Sequence, residues 1–113
     1  MNIQIIGTKK CNATKKAQRF FKERGINFQF KNLAEKGLSK GELENICKIF
    51  DCEELLDKEG KQYKKRGMAY MVFNIKEELL TDAQLLKTPI VRNGNKATIG
   101  VEESIWTEWL KEE

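Results

Sequence analysis

One cysteine is set among residues that could turn it into a nucleophile. Cys11 lies in Gly7-Thr8-Lys9-Lys10-Cys11-Asn12-Ala13-Thr14-Lys15-Lys16, after an apolar stretch (Ile3, Ile5, Ile6) and before an amphipathic one (Ala13, Ala17, Phe20, Phe21). With the first a strand and the second a helix, the sulfur stands among unpaired backbone N–H groups at the positive end of the helix dipole. Both features favour thiolate over thiol, which lowers the pKa and activates the sulfur. Lys9, Lys10, Lys15 and Lys16 add positive charge, with Lys15 four residues on, over the same helical face. Cations are the wrong sign for stabilising a helix start, and a broken local rule points to function. Thr14, one turn on, could donate a hydrogen bond to the thiolate.

The other residue types narrow the chemistry. The chain has no histidine, which excludes a Cys–His dyad, a Ser–His–Asp triad and any histidine-ligated zinc. Cys11, Cys47 and Cys52 lack paired CxxC spacing, so no metal site is expected. Cys47 falls on an apolar stripe with Leu43, Ile46 and Phe50 and reads as core. Cys52, in a first helical turn, is the candidate resolving thiol should the middle segment move. Nucleophilic work therefore falls to a thiolate activated by cations and dipoles alone.

The elements that must position Cys11 follow from patterning. The 113 residues fit a single domain spanning 1–113. Residues 2–7 read as a strand, Asn12–Arg24 as a helix stopped by Gly25, and residues 26–30 as a second, alternating strand parallel to the first. A helical insert then runs over approximately 38–87. Ser39-Lys40-Gly41-Glu42 matches a capping box, and Asp51-Cys52-Glu53-Glu54 looks like a second helix start. Residues 57–66 are charged and read as a loop or a brief turn of helix. Thr81-Asp82-Ala83-Gln84 fits another capping box, with its helix ending near Lys87. Pro89 opens Ile90-Val91-Arg92, Asn93-Gly94 signals a hairpin, and Asn95–Gly100 forms the return strand. A last helix from about Glu102 offers Ile105, Trp106, Trp109 and Leu110 to the core. The order predicts an α/β, thioredoxin-like fold: a four-stranded mixed sheet with a helical insertion between its β-α-β and β-β-α halves.

Composition bounds the setting. No apolar run approaches the roughly 18 residues that cross a bilayer, and no export signal is visible, so no membrane association is expected. An odd cysteine count without such a signal argues for a reducing, cytoplasmic location over a disulfide framework. The net charge is +4, but the basic clusters lack interleaved stacking aromatics apart from Tyr63, so direct nucleic-acid binding is not expected.

Several pieces resemble the arsenate reductase ArsC family, which includes Spx regulators and YffB-like proteins. Cys11-Asn12-Ala13-Thr14-Lys15-Lys16-Ala17 is similar to the family's Cys-x-x-Cys/Ser-Arg/Lys-Lys-Ala. Leu55-Leu56 with Gly60, Tyr63 and Gly67-Met68 resembles its middle segment. Thr88-Pro89-Ile90-Val91 resembles Arg-Pro-Ile-Val, and Ile99-Gly100-Val101 with Glu102-Glu103 resembles the closing piece. The resemblance implies a cis Thr88–Pro89 bond facing Cys11. It also exposes departures. Where arsenate reductases of the glutathione and glutaredoxin type hold the oxyanion with three arginines, the matched positions here are Asp57, Thr88 and Gly100. Arg66 and Arg92 are the candidate substitutes. Spx regulators switch through Cys-x-x-Cys, but Thr14 occupies the second position here.

The reading is a monothiol oxidoreductase with Cys11 catalytic and Thr14, Lys15, Thr88 and Pro89 in support. It needs no bound cofactor. Glutathione or glutaredoxin is the candidate reductant, and the partner is a thiol, a disulfide or a small-molecule thiol. Two alternatives stand beside it: an Spx-like regulator contacting a protein such as RNA polymerase, and an arsenate reductase with an altered oxyanion site.

Overall fold

Three isoleucines and a glycine make the first strand a central one, with no polar face to expose. β1 (Ile3–Gly7) has Ile3, Ile5, Ile6 and Gly7 buried, as expected of a strand paired on both sides and covered. The computed structural model describes residues 1–112. The chain forms two compact units, residues 1–32 with the stretch from Thr88 onward, and Leu33–Lys87.

In the first unit, α1 (Asn12–Glu23) leads to β2 (Phe28–Asn32), which pairs parallel to β1 with Ile3 opposite Phe28 and Gly7 opposite Asn32. The second strand lies two residues later than expected. Arg24 and Gly25 close the helix by donating to the Phe21 and Lys22 carbonyls, and Gly25 takes φ +68°. Ile26 N–H then bonds back to the Phe21 carbonyl at 2.9 Å, so that residue completes the helix exit rather than opening the ladder. β3 (Ile90–Asn93) runs antiparallel to β1, and β4 (Lys96–Ile99) antiparallel to β3, giving the order β2-β1-β3-β4. Asn93 pairs with Lys96, so the hairpin turn is Gly94-Asn95, one residue beyond the expected Asn93-Gly94. Gly94 has φ +60° and Asn95 does not share that sign, the pattern of a type II′ turn with glycine first.

Ile3, Ile5 and Val91 pack with Ala17, Phe20 and Phe21 of α1 and with Trp106 and Trp109 of α6 (Glu103–Lys111). Phe20, Phe21 and Trp106 meet with centroids 5.1–5.3 Å apart. The indole N–H of the fully buried Trp106 donates to Thr98 Oγ1 at 2.8 Å, which satisfies both groups. Ile105, expected in this core, is 41% exposed at the edge of the buried stripe.

The second unit is helical: α2 (Lys40–Cys47), α3 (Cys52–Leu55), α4 (Lys61–Lys65) and α5 (Ile75–Thr81), with 3-10 turns at Met68–Tyr70 and Ala83–Leu85. The Ser39 capping box forms on both sides, with Glu42 N–H to Ser39 Oγ at 3.1 Å and Ser39 N–H to Glu42 Oε1 at 2.9 Å. Thr81 does not start a helix as expected. Asn74 caps α5 instead, and Thr81 ends it, its hydroxyl donating to the Glu77 carbonyl at 2.9 Å. Only a 3-10 turn follows, capped by Asp82. Arg66 bridges Glu78 and Asp82, joining α4 to the end of α5. Asp57 N–H donates to Leu85 O, and Lys87 N–H to Leu55 O, both at 2.8 Å, around a Leu56–Leu86 bridge.

The main correction lies in this unit. Cys47 and Cys52 form a disulfide with Cα atoms 5.3 Å apart. The helix ends at Cys47 and restarts at Cys52, and that reversal brings the two side chains together. Cys47 is therefore a bonded, partly buried residue instead of a core thiol, and Cys52 has no free thiol with which to resolve a mixed disulfide.

Candidate functional site

Strand pairing builds the site. Ile6 pairs antiparallel with Ile90, so the loop leaving β1 and the dipeptide entering β3 lie side by side. The loop is a tight turn in which Cys11 N–H donates to the Thr8 carbonyl at 3.2 Å, with Lys9 and Lys10 at its corners. Cys11 is the N-cap of α1 in extended geometry (φ −79°, ψ 116°), and its carbonyl accepts the first helical bond from Lys15 N–H at 3.1 Å. The residue before a proline is held in extended backbone, and Thr88 stands there, joined to Pro89 by a cis bond. Pro89 is buried, and its carbonyl accepts from Gly100 N–H at 2.8 Å. Gly100 takes φ +82°, a conformation that suits glycine.

The Thr88 hydroxyl donates to Cys11 Sγ at 3.1 Å. The sulfur in turn lies 4.0 Å from the Thr88 carbonyl. Thr14 is fully buried, and its Oγ1 meets no hydrogen-bond partner in the thiol state. It nonetheless favours the thiolate of Cys11. Partial burial is the largest single influence on the thiol and pushes its pKa up. Against it stand the hydroxyls of Thr14 and Thr88 and the backbone N–H groups of Thr14 and Ala13. Together these prevail, and Cys11 lies below the ordinary thiol range. No ammonium group is among the causes, and Lys15 is exposed. The expected electrostatic support from lysine is thus replaced by support from hydroxyls and amides.

Sequence reasoning missed Gly7. A Cβ built there would lie 2.2 Å from Thr14 Oγ1 and 2.7 Å from its Cγ2. Only glycine lets α1 bring Thr14 this close to β1, and a glycine ending an isoleucine-rich strand just before the cysteine was the available signal. The two candidate arginines have partners of their own: Arg66 pairs with Glu78 and Asp82, and Arg92 Nη1 donates to Gln4 Oε1 at 3.1 Å. Among the described residues no group of three or more His, Cys, Asp or Glu could hold a metal ion, and no helix is long and apolar enough to cross a membrane.

A partly buried thiol with a lowered pKa, beside a cis proline at a helix start, is equipped for thiolate chemistry. The protein YusI of Bacillus subtilis (strain 168), itself uncharacterised, is 24% identical over 115 residues, 96% of this chain and 98% of YusI. The global transcriptional regulator Spx 2 of Oceanobacillus iheyensis is 25% identical over 115 residues, 97% of this chain and 84% of the regulator. An arsenate reductase from Vibrio cholerae has a similar fold, with a TM-score of 0.81 at 18% identity over 96% of this chain and 97% of the reductase. The pattern shared by the ArsC family matches residues 6–109, nearly the whole thioredoxin-like sheet and its insert, and this chain belongs to that family.

Proposed function

We propose that this protein is a thiol oxidoreductase that works with one cysteine. The Cys11 thiolate attacks a disulfide sulfur of the substrate; a new S–S bond forms to Cys11, the old one breaks, and the leaving thiolate takes a proton from solvent. The thiolate of an external thiol such as glutathione, or of a glutaredoxin, then attacks the substrate-derived sulfur of the mixed disulfide; a new S–S bond joins those two sulfurs, the bond to Cys11 breaks, and Cys11 leaves as thiolate. An external thiol is required because Thr14 holds the i+3 position and Cys52 is bonded to Cys47. Thr14 and Thr88 stabilise the thiolate, and the cis Thr88–Pro89 peptide offers its backbone to the partner. The proposed setting is still the cytoplasm, although the Cys47–Cys52 disulfide removes the cysteine-count argument for it, and residues 1–113 act as one domain.

The observation that carries this reading is the Thr88 hydroxyl donating to Cys11 Sγ at 3.1 Å at the start of α1. Arsenate reduction is disfavoured. On the family resemblance, Asp57, Thr88 and Gly100 take the positions of the oxyanion-binding arginines, and each charge-assisted contact so lost would remove about 1.5–3 kcal/mol. The test incubates the protein with glutathione disulfide and then with glutathione. The expected result is an adduct on Cys11 by mass spectrometry that glutathione discharges, and none in Cys11→Ser. No adduct on Cys11, or arsenate-dependent consumption of NADPH in a glutathione-coupled assay, would displace the proposal.

The 25% identity to Spx 2 across almost the whole chain favours a second reading, a redox-linked regulator that contacts a protein such as RNA polymerase. A Cys11→Ser variant that keeps its full biological effect would select it.

A further inference from the structure

The lysines around Cys11 have no work inside the protein. Lys9 and Lys10 form the corners of the turn that Cys11 closes, and Lys15 and Lys16 follow in the first turn of α1. All four are exposed, and none makes an ion pair among the described residues. Residues 9–24 hold seven lysines and arginines against one acid, Glu23, while the whole chain has 21 against 17. The charge excess of the protein is therefore concentrated on the helix that carries the thiol. These ammonium groups do not set the ionisation of Cys11, which answers to threonine hydroxyls and helix amides. Beneath them the Thr14 hydroxyl, one helical turn from Cys11, is fully buried and has no hydrogen-bond partner, and it favours the Cys11 thiolate.

We propose that Lys9, Lys10, Lys15 and Lys16 select the substrate, favouring a small disulfide that carries carboxylates near the reacting sulfur. This rests on the oxidoreductase reading above and adds the class of disulfide. In the step itself, the Cys11 thiolate forms a bond to one sulfur of the dicarboxylate disulfide. The carboxylate-bearing thiolate of the other half leaves and takes a proton from water. The carboxylates remain unchanged and interact only with the ammonium groups. Exposed lysines act through long-range attraction, so the selection appears in the rate of encounter and fades with salt.

The test measures mixed-disulfide formation on Cys11 with three aliphatic disulfides: 3,3′-dithiodipropionate (dianion), 2-hydroxyethyl disulfide (neutral) and cystamine (dication). Each rate is divided by that of 2-mercaptoethanol with the same disulfide, which removes differences in leaving group. Alkylation by neutral iodoacetamide is measured alongside. The expected preference for the dianion over the dication is about tenfold at ~10 mM ionic strength, falling to about twofold at ~0.5 M. Replacing all four lysines (K9Q, K10Q, K15Q, K16Q) should abolish the preference while the iodoacetamide rate stays within about twofold. Fast alkylation of Cys11 without a charge preference overturns this inference alone. A matching fall in alkylation in the lysine variant also overturns it, because the lysines would then act on the thiolate. An ordinary-thiol alkylation rate in the native protein overturns the oxidoreductase reading and this inference with it.

Discussion

Replacing Thr88 by valine tests the thiolate most sharply, because it deletes one hydrogen bond to the sulfur and little else. Valine keeps the shape and β-branching of threonine, and the extended backbone required before Pro89 suits it. What disappears is the hydroxyl 3.1 Å from Cys11 Sγ. A hydrogen bond to a charged group contributes about 1.5–3 kcal/mol, and the lower end applies because the sulfur is only partly buried. A loss of about 1.5 kcal/mol reduces the thiolate fraction on the rising limb of the pH curve about tenfold. The thiolate that remains is more basic and more nucleophilic; with a Brønsted slope of about 0.45 its intrinsic rate rises about threefold. Iodoacetamide alkylation should therefore slow about threefold to fourfold at low pH and quicken about threefold on the alkaline plateau. The native and variant curves should cross. Cys47 and Cys52 are bonded to each other, so the signal comes from Cys11. Curves that superimpose, or a variant slower at every pH, would refute the assignment of Thr88 as thiolate donor.

Gly7→Ala should destabilise by about 1–3 kcal/mol, because its Cβ would collide with Thr14. Urea unfolding of Gly7→Ala, Thr14→Ala and the double variant should show strong non-additivity, the second change relieving the first. Ser39→Ala should cost about 1 kcal/mol, read as a lower urea midpoint at unchanged m-value, since the Oγ that accepts from Glu42 N–H is lost. Stability should also depend on pH through Cys11. Its folded pKa is lowered, so its contribution is fully present above the unfolded value of about 8.5 and is lost as pH falls through the folded pKa. Cys11→Ser should remove that part of the slope, measured as urea midpoints across this window.

Residues with a clear local period or cap were legible from the chain. Ser39 and Glu42 announced α2, the isoleucines announced β1, and Cys11 fell where strand gives way to helix. Thr81-Asp82-Ala83-Gln84 misled because a capping box can also end a helix. The Thr81 hydroxyl bonds backward to Glu77 and Glu78, and only Asp82 caps forward. Ile105 misled because α6 has two tryptophans that already fill the core-facing stripe. The disulfide was hidden because a spacing of five residues brings two cysteines together only when the chain reverses between helices, and no residue type records that reversal. The lysines near Cys11 are absent from the influences on its ionisation. Their exposed ammonium groups face solvent, while short-range dipoles act on the sulfur.

Ultraviolet titration of the native protein against Cys11→Ser gives the most direct reading of that sulfur, since thiolate absorbs near 240 nm and the bonded pair does not titrate. The difference curve should have its midpoint clearly below the ordinary thiol value of about 8.5. A midpoint at or above that value would mean that burial outweighs the two threonine hydroxyls and the helix amides, and Cys11 would be an inert thiol.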